Sequence, residues 1–358
     1  MGFWSIAMFL AVGIAVYVAW RARQAFVAPR YKWIYWLGCL FLLAFFILLR
    51  SVKPGTGILG SALTWLGSYS MAAFFYAFII VLLLDIVRKA DDFLGIIPSS
   101  WKRLPSRVGL GAIALLVCIL VYGTWNARHP VVRPYEINIA KTVNSDKNLH
   151  VVMVSDLHLG RIVNRERLSE IVDLINRQNP DLVILAGDVV DGDIKPFKEQ
   201  HMDEVLLQLK PELGTYMVLG NHDGRLGEEL TSLLADGITV LRDQYQLVDN
   251  RFYLVGRDDR GHRPIPRAGT NLAAVMQGIN HDLPIILIDH NPSNLDEALN
   301  AGVDLQLSGH THQGQMFPNN FVTASLYEVD WGYLKKDRLQ VVVSTGIGTW
   351  GPPIRIGN

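Results

Sequence analysis

The sequence predicts an α/β protein in two parts, a region of four membrane-spanning helices followed by a layered sheet with helices on its outside. Three observations lead to this prediction. Half of the 358 residues are hydrophobic and only 18% are charged, which is too apolar for an average soluble enzyme, and the excess lies before residue 127. After that point, short apolar runs alternate with helical patterns. Polar clusters follow the ends of several of these runs.

Charge and cysteine content give no indication of a nucleic-acid partner or of a cysteine-based site. The chain has 33 basic and 33 acidic residues, so its formal net charge is zero and no nucleic-acid partner is indicated. Its two cysteines, Cys39 and Cys118, both lie in apolar segments before residue 127. The soluble part therefore has neither a disulfide framework nor a thiolate metal site.

Four apolar runs are each about long enough to cross a hydrocarbon core roughly 30 Å thick. They cover residues 3–20, 33–49, 65–87 and 108–125, within a predicted transmembrane region of residues 1–126. Arg21 and Arg23 follow the first run, whereas a secretory signal peptide carries its charge before the run, so we predict a retained span. The alternative is a large buried helical bundle, but soluble core helices rarely run this long without a charge.

Basic residues predict the orientation of the spans, because lysine and arginine favour the cytoplasmic side of a membrane. Most of them lie in the loops after the first and third spans: Arg21, Arg23, Arg30, Lys32, Arg88, Lys89, Lys102, Arg103 and Arg107. The loop after the second span has only Arg50 and Lys53. We therefore expect an integral membrane protein whose soluble part faces the non-cytoplasmic side. Asp85, beside Arg88 and Lys89, is interpreted as an interfacial pairing group rather than a proton relay.

The soluble part begins with a connector, residues 127–148, which contains Pro130 and Pro134 and a predicted first strand at 131–140 on a sheet edge. Further strands are predicted at 151–154, 181–186, 214–219, 284–288, 304–307 and 339–344, with a meander of short strands at 238–241, 246–249 and 252–255. Helices are predicted at 165–179, 204–209, 227–235 and 295–301. In such layered sheets, ligands bind at the carboxyl ends of the strands.

Polar side chains suited to a metal centre and its chemistry collect at those strand ends. The candidates are Asp156, His158, Asp188, Asn221, His222, His290, His310 and His312. Asp156 with His158, and His310 with His312, are two positions apart, so on an extended strand each pair points to one side. Carboxylates and imidazoles suit zinc, manganese and iron. Taken singly, the Gly187-Asp188 and Asn221-His222-Asp223 motifs and His290 are each more typical of a turn or loop, and Asp156 with His158 fits a polar turn as well as a ligand pair. Their joint occurrence favours a metal centre.

The number of donors exceeds what one ion needs, so we expect two divalent ions that share a ligand. A carboxylate is the natural bridge, and Asp188 follows Gly187, which lets backbone approach closely; Gly309 precedes His310 in the same way. Dinuclear metals lower the pKa of a bridging water. His222 is positioned to protonate the leaving oxygen as a general acid.

These motifs resemble, in order, the five signature blocks of the calcineurin-like metallophosphoesterases. The blocks are Asp156-Leu157-His158, Gly187-Asp188, Gly220-Asn221-His222-Asp223, His290 and Gly309-His310-Thr311-His312. Over about residues 149–358 the resemblance implies a four-layer αββα sandwich. It implies one metal held by Asp156, His158, Asp188 and His312, and another held by Asp188, Asn221, His290 and His310, with Asp188 bridging and His222 as the acid.

The closing run, residues 343–358, is similar to a membrane-associated subgroup of bacterial phosphoesterases, the YkuE-like proteins. Two positions depart from that subgroup. Gln313 stands where it usually has glycine, and the chain ends at Asn358, where relatives usually continue into a final strand. The resemblance also implies a bacterial inner or plasma membrane as the location.

The expected function is a membrane-anchored hydrolase of a phosphomonoester, phosphodiester or pyrophosphate that uses a hydroxide bound to two Mn, Zn or Fe ions. A short connector and the late aromatic residues Trp331, Tyr333 and Trp350 make a lipid-linked ester one candidate substrate, beside soluble nucleotides and cell-wall phosphates. The alternative is a non-catalytic membrane sensor or assembly protein with a structural dimetal site. A transporter is less favoured, because the spans contain no broken pair or internal repeat.

Overall fold

The structure is a computed structural model that describes residues 3–51, 57–95, 97, 105–141, 143, 148–259 and 271–358. The chain divides into two compact units. The first comprises Met1–Trp125 with Gly351–Ile354, and the second comprises Asn126–Trp350 with Arg355–Asn358. Lys53, Lys102 and Arg103, which enter the orientation prediction, and part of the predicted connector lie outside the described residues.

Four long helices make up most of the first unit. They are α1 (Phe3–Phe26), α2 (Lys32–Ser51), α3 (Ile58–Leu94) and α4 (Pro105–Arg128), and a short 3-10 turn covers Pro29–Tyr31. Within the described residues, the segments Leu59–Leu94 and Pro105–Arg128 are long and apolar enough to cross a membrane. Only 17% and 6% of their most apolar stretches are buried in the protein, so neither is packed like the core helix of a soluble fold.

Asp85 on α3 is paired, as predicted, but its partner differs from the expected one. Its carboxylate accepts a hydrogen bond of 2.7 Å from Arg21 Nε and another from the hydroxyl of Tyr17. Tyr17 and Arg21 lie four residues apart on α1 and therefore share one face of that helix. The carboxylate thus links two helices instead of pairing with the neighbouring Arg88 and Lys89.

Two sheets form the centre of the second unit. The first contains β1 (Val151–Val154), β2 (Leu182–Ala186), β3 (Thr215–Val218) and β4 (Ile238–Val240), in that order and all parallel. The second has the order β5-β6-β7-β8-β10-β9. Its strands are β5 (Gln244–Val248), β6 (Phe252–Gly256), β7 (Ile285–Ile288), β8 (Leu305–Ser308), β9 (Gly332–Lys336) and β10 (Leu339–Val343). Only the edge strands β5 and β9 run antiparallel to their neighbours.

Helices cover the outer faces of both sheets. They are α5 (Arg165–Asn176), α6 (Ile194–Glu199), α7 (Met202–Leu206), α8 (Gly227–Leu234), α9 (Leu272–Val275) and α10 (Leu295–Ala301). A further helix, α11 (Asn320–Leu326), lies on the surface and buries none of its residues. Alternation along β2 shows the layering, because Leu182 and Ile184 pack between the sheets while Val183 and Leu185 pack against helices. The protein thus has one hydrophobic core between the sheets and one between the first sheet and its helices. A third hydrophobic core lies on the outer face of the second sheet. The resulting order of helices, sheet, sheet and helices is the predicted layered α/β fold.

Two predicted features of the sheets are wrong. Residues 130–141, all described, belong to no strand. Ile137 and Ile139 from this segment pack instead against the core between the sheets, and Pro130 and Pro134 lack the N–H groups that an edge strand would use.

The predicted meander at 238–255 is also wrong. Ile238–Val240 pairs in parallel with β3 and completes the first sheet, whereas Gln244–Val248 and Phe252–Gly256 form a hairpin at the edge of the second sheet. The chain therefore leaves the first sheet after β4 and enters the second sheet at β5. Periodicity marks each run as a strand but carries no information on which sheet it joins.

Candidate metal centre

The first two ligand motifs lie side by side because the pairing of β1 with β2 continues beyond the strands. Asp156 N donates to Gly187 O at 2.9 Å, and His158 N donates to Asp188 O at 3.0 Å. The turn that follows β1 is therefore tied, residue by residue, to the turn that follows β2. The turns after β3, β7 and β8 carry the other predicted donors at the same end of the strands.

Backbone conformation brings each pair of donors together, and it is not the extended one that the sequence suggested. Asp156, His158, Asp188, His310 and His312 all have positive φ angles, between 48° and 73°. Non-glycine residues seldom adopt this left-handed region, and such strain concentrates at functional sites. The prediction that each pair converges is met, but by left-handed turns rather than by a continuing strand.

Gly187 and Gly309 allow the close approaches that the sequence predicted for them. A Cβ atom at Gly187, where φ is +87°, would clash with the ring of His290. A Cβ atom at Gly309 would clash with the carboxylate of Asp156 and the hydroxyl of Ser155. Both glycines thus leave room for a donor from a neighbouring strand.

One group of donors consists of Asp156, His158 and His312, all of them buried. Nε2 of His312 lies 3.1 Å from Nε2 of His158 and 3.3 Å from Oδ1 of Asp156. The three candidate ligand atoms therefore converge on one point. Ser155 donates a hydrogen bond to the other oxygen of Asp156 and fixes the orientation of the carboxylate.

A second group consists of Asp188, His290 and His310, with Asn221 beside them. Nε2 of His290 lies 3.2 Å from Oδ2 of Asp188, and Nδ1 of His310 donates to Oδ1 of Asn221 at 2.8 Å. The same Oδ2 of Asp188 is 3.8 Å from Nε2 of His158 in the first group. Asp188 is therefore positioned between the two groups, as a bridging carboxylate would be.

His290 provides the test of whether a cation fits here. Its Nδ1 donates to Ala186 O at 2.7 Å, so in the neutral ring Nε2 carries the lone pair that faces Asp188. This nitrogen is buried, and among the described residues its nearest charged neighbour is that carboxylate oxygen, with which it forms no hydrogen bond in the neutral ring. A lone pair facing a carboxylate oxygen is unfavourable unless a positive charge lies between them. A divalent cation supplies that charge, and the surrounding nitrogen and oxygen donors suit zinc, manganese or iron.

In the metal-free protein a proton can take the place of that cation. Burial lowers the pKa of His290, but the carboxylates of Asp188 and Asp156 outweigh it and hold the pKa well above its usual value. Burial lowers the pKa of His312 to about 3, with the nearby His158 and Arg355 adding to the effect. His312 is therefore a neutral ligand at any physiological pH, whereas His290 must lose its proton to bind a metal.

Arg355 supports this centre from the closing run of the chain. Its Nη2 donates to the carbonyl oxygens of Thr345, Gly346 and Gly348 at 2.7–2.8 Å. The same loop donates back to the first ligand motif, since Ile347 N bonds Ser155 O at 3.1 Å and Gly348 N bonds Asp156 O at 3.0 Å. The closing run thus holds the backbone that carries Asp156.

Asp191 lies beside two of the candidate site residues and was not predicted from the sequence. Its Oδ1 lies 3.4 Å from Nδ1 of His222 and 3.4 Å from Nδ1 of His158. Burial lowers the pKa of His222, but Asp191 and Asp188 outweigh it and raise the pKa above its usual value. The available signal was the spacing of three residues between Asp188 and Asp191 in one loop after β2.

Asp223 was predicted only as part of a loop, yet it is fully buried and organises the turns. Its carboxylate accepts hydrogen bonds of 2.8–3.0 Å from the backbone N–H groups of Val189, Val190 and Gly220. It therefore joins the turn after β2 to the turn after β3. Burial and the neighbouring Asp188 raise the pKa of Asp223 to about 6.

Aromatic side chains lie beside two of the histidines. The ring of Trp350, half exposed, is 6.0 Å from the ring of His222, and Tyr327 is 6.2 Å from His310. Gln315 fixes Trp350 through two hydrogen bonds to its backbone, of 2.9 and 3.1 Å. Of the three late aromatic residues that the sequence singled out, Trp350 is therefore beside the donors.

Comparisons with known proteins agree with this geometry. Residues 149–314, which carry every predicted donor, match the family model described as calcineurin-like phosphoesterase. A Danio rerio protein named transmembrane protein with metallophosphoesterase domain is 33% identical over 262 residues, 69% of this chain and 60% of that protein. The chain thus spans less than two thirds of that relative's length.

Two bacterial relatives are similar over a larger share of their own length. An uncharacterized metallophosphoesterase of Aquifex aeolicus is 33% identical over 233 residues, 62% of this chain and 88% of that protein. The uncharacterized metallophosphoesterase YkuE of Bacillus subtilis is 28% identical over 216 residues, 57% of this chain and 74% of that protein. Motifs, matched segment and relatives therefore agree, and the chain belongs to the calcineurin-like phosphoesterase family.

Proposed function

We propose that this protein is a membrane-embedded phosphoesterase that hydrolyses a phosphate ester or pyrophosphate with the help of two divalent cations. The observation that carries the proposal is the position of Asp188, whose Oδ2 lies 3.2 Å from His290 and 3.8 Å from His158. One carboxylate in contact with both donor groups is the arrangement that a pair of bridged cations requires.

The two cations would be held by separate sets of side chains that share one member. Asp156, His158, Asp188 and His312 would hold one, and Asp188, Asn221, His290 and His310 would hold the other. When bound, such a pair supplies Lewis-acid activation of the phosphate and lowers the pKa of a water molecule enough to make it a nucleophile at neutral pH. Manganese, zinc and iron all suit these donors.

His222 would hold the proton that the leaving oxygen needs. Its Nδ1 faces Asp191, which keeps the ring in one orientation and favours the protonated form. Nε2 is then the nitrogen that can donate toward a substrate. A general acid of this kind contributes on the order of 10²–10⁴ to a rate, and most when the leaving group is a poor one.

We infer that the helices α1 to α4 anchor this site in a membrane, with the second unit on the non-cytoplasmic side. Two apolar segments long enough to span, and a Danio rerio relative named as a transmembrane protein, support membrane embedding. The distribution of basic residues among the loops supports the orientation. A site held near a bilayer keeps a lipid-linked phosphate ester among the candidate substrates, beside soluble nucleotides and cell-wall phosphates.

Metal analysis and hydrolysis of bis(p-nitrophenyl) phosphate by the detergent-solubilised full chain test the proposal. Asp188→Ala should reduce the metal content and lower hydrolysis by about a hundredfold or more, because it removes a donor that both groups share. Asp173→Ala, which changes an exposed aspartate on α5, is the matched control and should alter neither.

Two outcomes would contradict the proposal in different ways. If Asp188→Ala kept both its metal and its activity, the assignment of the shared ligand would be wrong. If the unaltered chain bound two metals but hydrolysed no ester in a panel of aryl, nucleotide and lipid phosphates, the protein would be a non-catalytic sensor with a structural metal site.

A further inference from the structure

Helix α11 presents apolar side chains to the outside of the second unit and none to its interior. None of its residues is buried, while Phe321, Val322 and Leu326 are 65%, 55% and 71% exposed. Phe317, just before the helix, packs its ring against Phe321 at 5.7 Å. A surface helix normally buries its apolar stripe, and a contiguous apolar surface left outside marks an interaction site.

Hydrogen bonds to Asp330 connect this helix to the turn that carries His310 and His312. Thr323 on α11 donates to Oδ2 of Asp330 at 2.6 Å, and Thr311, between His310 and His312, donates to the backbone oxygen of Asp330. The position of α11 is thus coupled to the turn that carries two of the proposed ligands. Anything that binds α11 therefore lies close to the site of chemistry.

Trp331, which follows Asp330, contacts the connector and so brings it next to this apolar surface. The guanidinium of Arg133 lies over the ring of Trp331 at 5.3 Å, and Tyr135 stacks on Tyr333 at 6.3 Å. The connector also exposes Val131 (76%) and Val132 (52%). We call Val131, Val132, Phe321, Val322, Leu326 and Trp331 together the interfacial surface.

The covalent connection of Val131 to α4 indicates what covers this surface. The candidate span Pro105–Arg128 ends three residues before Val131, and three residues reach at most about 10 Å. The headgroup layer on each side of a bilayer is of a similar depth, roughly 5–8 Å. With α4 in the bilayer, Val131 and Val132 can therefore lie no further than the headgroup layer and the water next to it. Tryptophan, tyrosine and arginine beside exposed aliphatic residues are the composition typical of that layer.

We propose that the interfacial surface lies in the headgroup layer of the bilayer, so that the metal centre receives its substrate directly from the membrane as a phosphate ester carried on a lipid. This inference rests on the proposed phosphoesterase function and specifies its substrate class. Its own content is the placement of α11 and the connector against lipid, which is measured without any assay of activity.

The first experiment locates α11 in the full chain reconstituted in nanodiscs of phosphatidylethanolamine and phosphatidylglycerol. In a Cys39→Ser, Cys118→Ser background, Leu326→Cys is labelled with an environment-sensitive fluorophore, and Glu228→Cys on α8, which is exposed and polar, is the matched control. We expect the label at 326 to shift to the blue and to be quenched by nitroxide-bearing lipids, with no change at 228.

Two results would overturn this placement. A label at 326 that stays in water, with emission like that at 228, would mean that nothing covers α11. A label that is shielded from water yet not quenched by the lipids would mean that a second copy of the chain, rather than the bilayer, covers it.

The second experiment separates substrate delivery from chemistry. Phe321→Asp with Leu326→Asp should lower hydrolysis of a fluorogenic phosphodiester held in the bilayer by about tenfold or more, because charges oppose insertion into the interface. Hydrolysis of soluble bis(p-nitrophenyl) phosphate should stay unchanged, because neither side chain touches the donors. Both residues are mostly exposed, and the milder Leu326→Ser checks that a loss is not misfolding.

The outcomes distinguish this inference from the proposed function. Equal hydrolysis of the bilayer-held ester by the double aspartate variant and the unaltered chain would overturn the inference and leave the phosphoesterase function intact. If the unaltered chain hydrolysed neither ester, the proposed function would fail, and the labelling at position 326 would still decide whether α11 meets lipid.

Discussion

At the scale of single residues, Asp191 lies outside the proposed ligand set but next to His222, the proposed acid. It lies 3.4 Å from Nδ1 of His222, and against the effect of burial it raises, together with Asp188, the pKa of that ring above its usual value. Its own pKa is raised by burial but lowered further by His158 and His222, to well below its ordinary value. Asp191 therefore stays charged at any pH at which the enzyme would work.

Asp191→Asn should shift the alkaline limb of the pH profile of kcat/KM to lower pH. The acid form of His222 is lost as pH rises through its pKa, and removal of the carboxylate lowers that pKa. The loss of activity relative to the unaltered chain should therefore be largest at alkaline pH. An ester with an alkyl leaving group should suffer more than a nitrophenyl ester, whose leaving group needs no proton.

Asp173→Asn, which alters an exposed aspartate on α5, is the control and should leave the profile unchanged. An alkaline limb that stays in place in Asp191→Asn, or equal losses on the two esters, would argue against His222 as the acid. The measurement needs only steady-state rates over a pH series.

The sequence was sufficient to place the predicted donors at the ends of β1, β2, β3, β7 and β8, because each donor motif follows an apolar run. It was not sufficient to find the reason why the donors converge. Positive φ angles at Asp156 and His158 are set by tertiary packing and cannot be inferred from an Asp-x-His spacing. Gln313 also has a positive φ, of 49°, which accounts for the glycine that the YkuE-like subgroup usually has there.

At the scale of secondary-structure elements, the site depends on turns that pack directly against one another. The turn after β2 is the clearest case, since Gly187 has φ of +87° and its Cα faces the ring of His290 from the turn after β7. The geometry of this turn decides whether Asp188 from the first sheet and His290 from the second sheet can meet. A side chain as small as a methyl group is therefore enough to disturb it.

Gly187→Ala should destabilise the second unit and weaken metal binding together. The left-handed backbone alone costs roughly 1–2 kcal/mol for a residue with a Cβ atom, and the clash with His290 adds to it. Thermal unfolding and titration with Mn²⁺ measure the two effects. Gly224→Ala is the matched control, because its Cβ would make only ordinary contacts with backbone oxygens of Gly220 and Asn221.

If Gly187→Ala lowered stability but bound Mn²⁺ as tightly as the unaltered chain, His290 would not be a ligand. If it changed neither quantity, the packing of this turn against His290 would be wrong. A loss of both in Gly224→Ala would mean that glycine itself, rather than the site, is responsible.

Prediction of the elements succeeded where a run was long, apolar and bounded by turn residues. Ile285–Ile288 and Leu295–Ala301 are examples, because strand and helix periods differ clearly there. It failed at Gly332–Lys336 and Asn320–Leu326, which are short and partly exposed, so no apolar period marks them. It also failed to assign Ile238–Val240 to a sheet, since that choice depends on contacts distant in the sequence.

At the scale of the whole molecule, the two units should respond differently to removal of metal. The proposed ligands all lie in the second unit, whereas the helices α1 to α4 hold none of them. A ligand at a hundred times its dissociation constant stabilises a folded unit by about 2.7 kcal/mol. Chelation should therefore lower the unfolding temperature of the second unit and leave the helices unaffected.

Circular dichroism and differential scanning calorimetry on the detergent-solubilised chain, before and after EDTA, measure this effect. Added Mn²⁺ should restore the transition. The Asp188→Ala variant provides the control, because its transition should already lie near the chelated position and should move little with EDTA. An unaltered transition in the unmodified chain would mean that no cation contributes to the fold.

The spread of the donors along the chain has a consequence for biosynthesis. His158 and His312 meet at 3.1 Å although 154 positions separate them. At roughly 5–20 residues per second, a ribosome needs about 8–30 seconds to make that stretch. During this interval the emerging polypeptide carries unmatched aspartates and histidines and can hold neither ion securely. Loading of the proposed site with metal would therefore follow translation of His312, and if the second unit lies outside the cytoplasm, the ions would be acquired from that compartment.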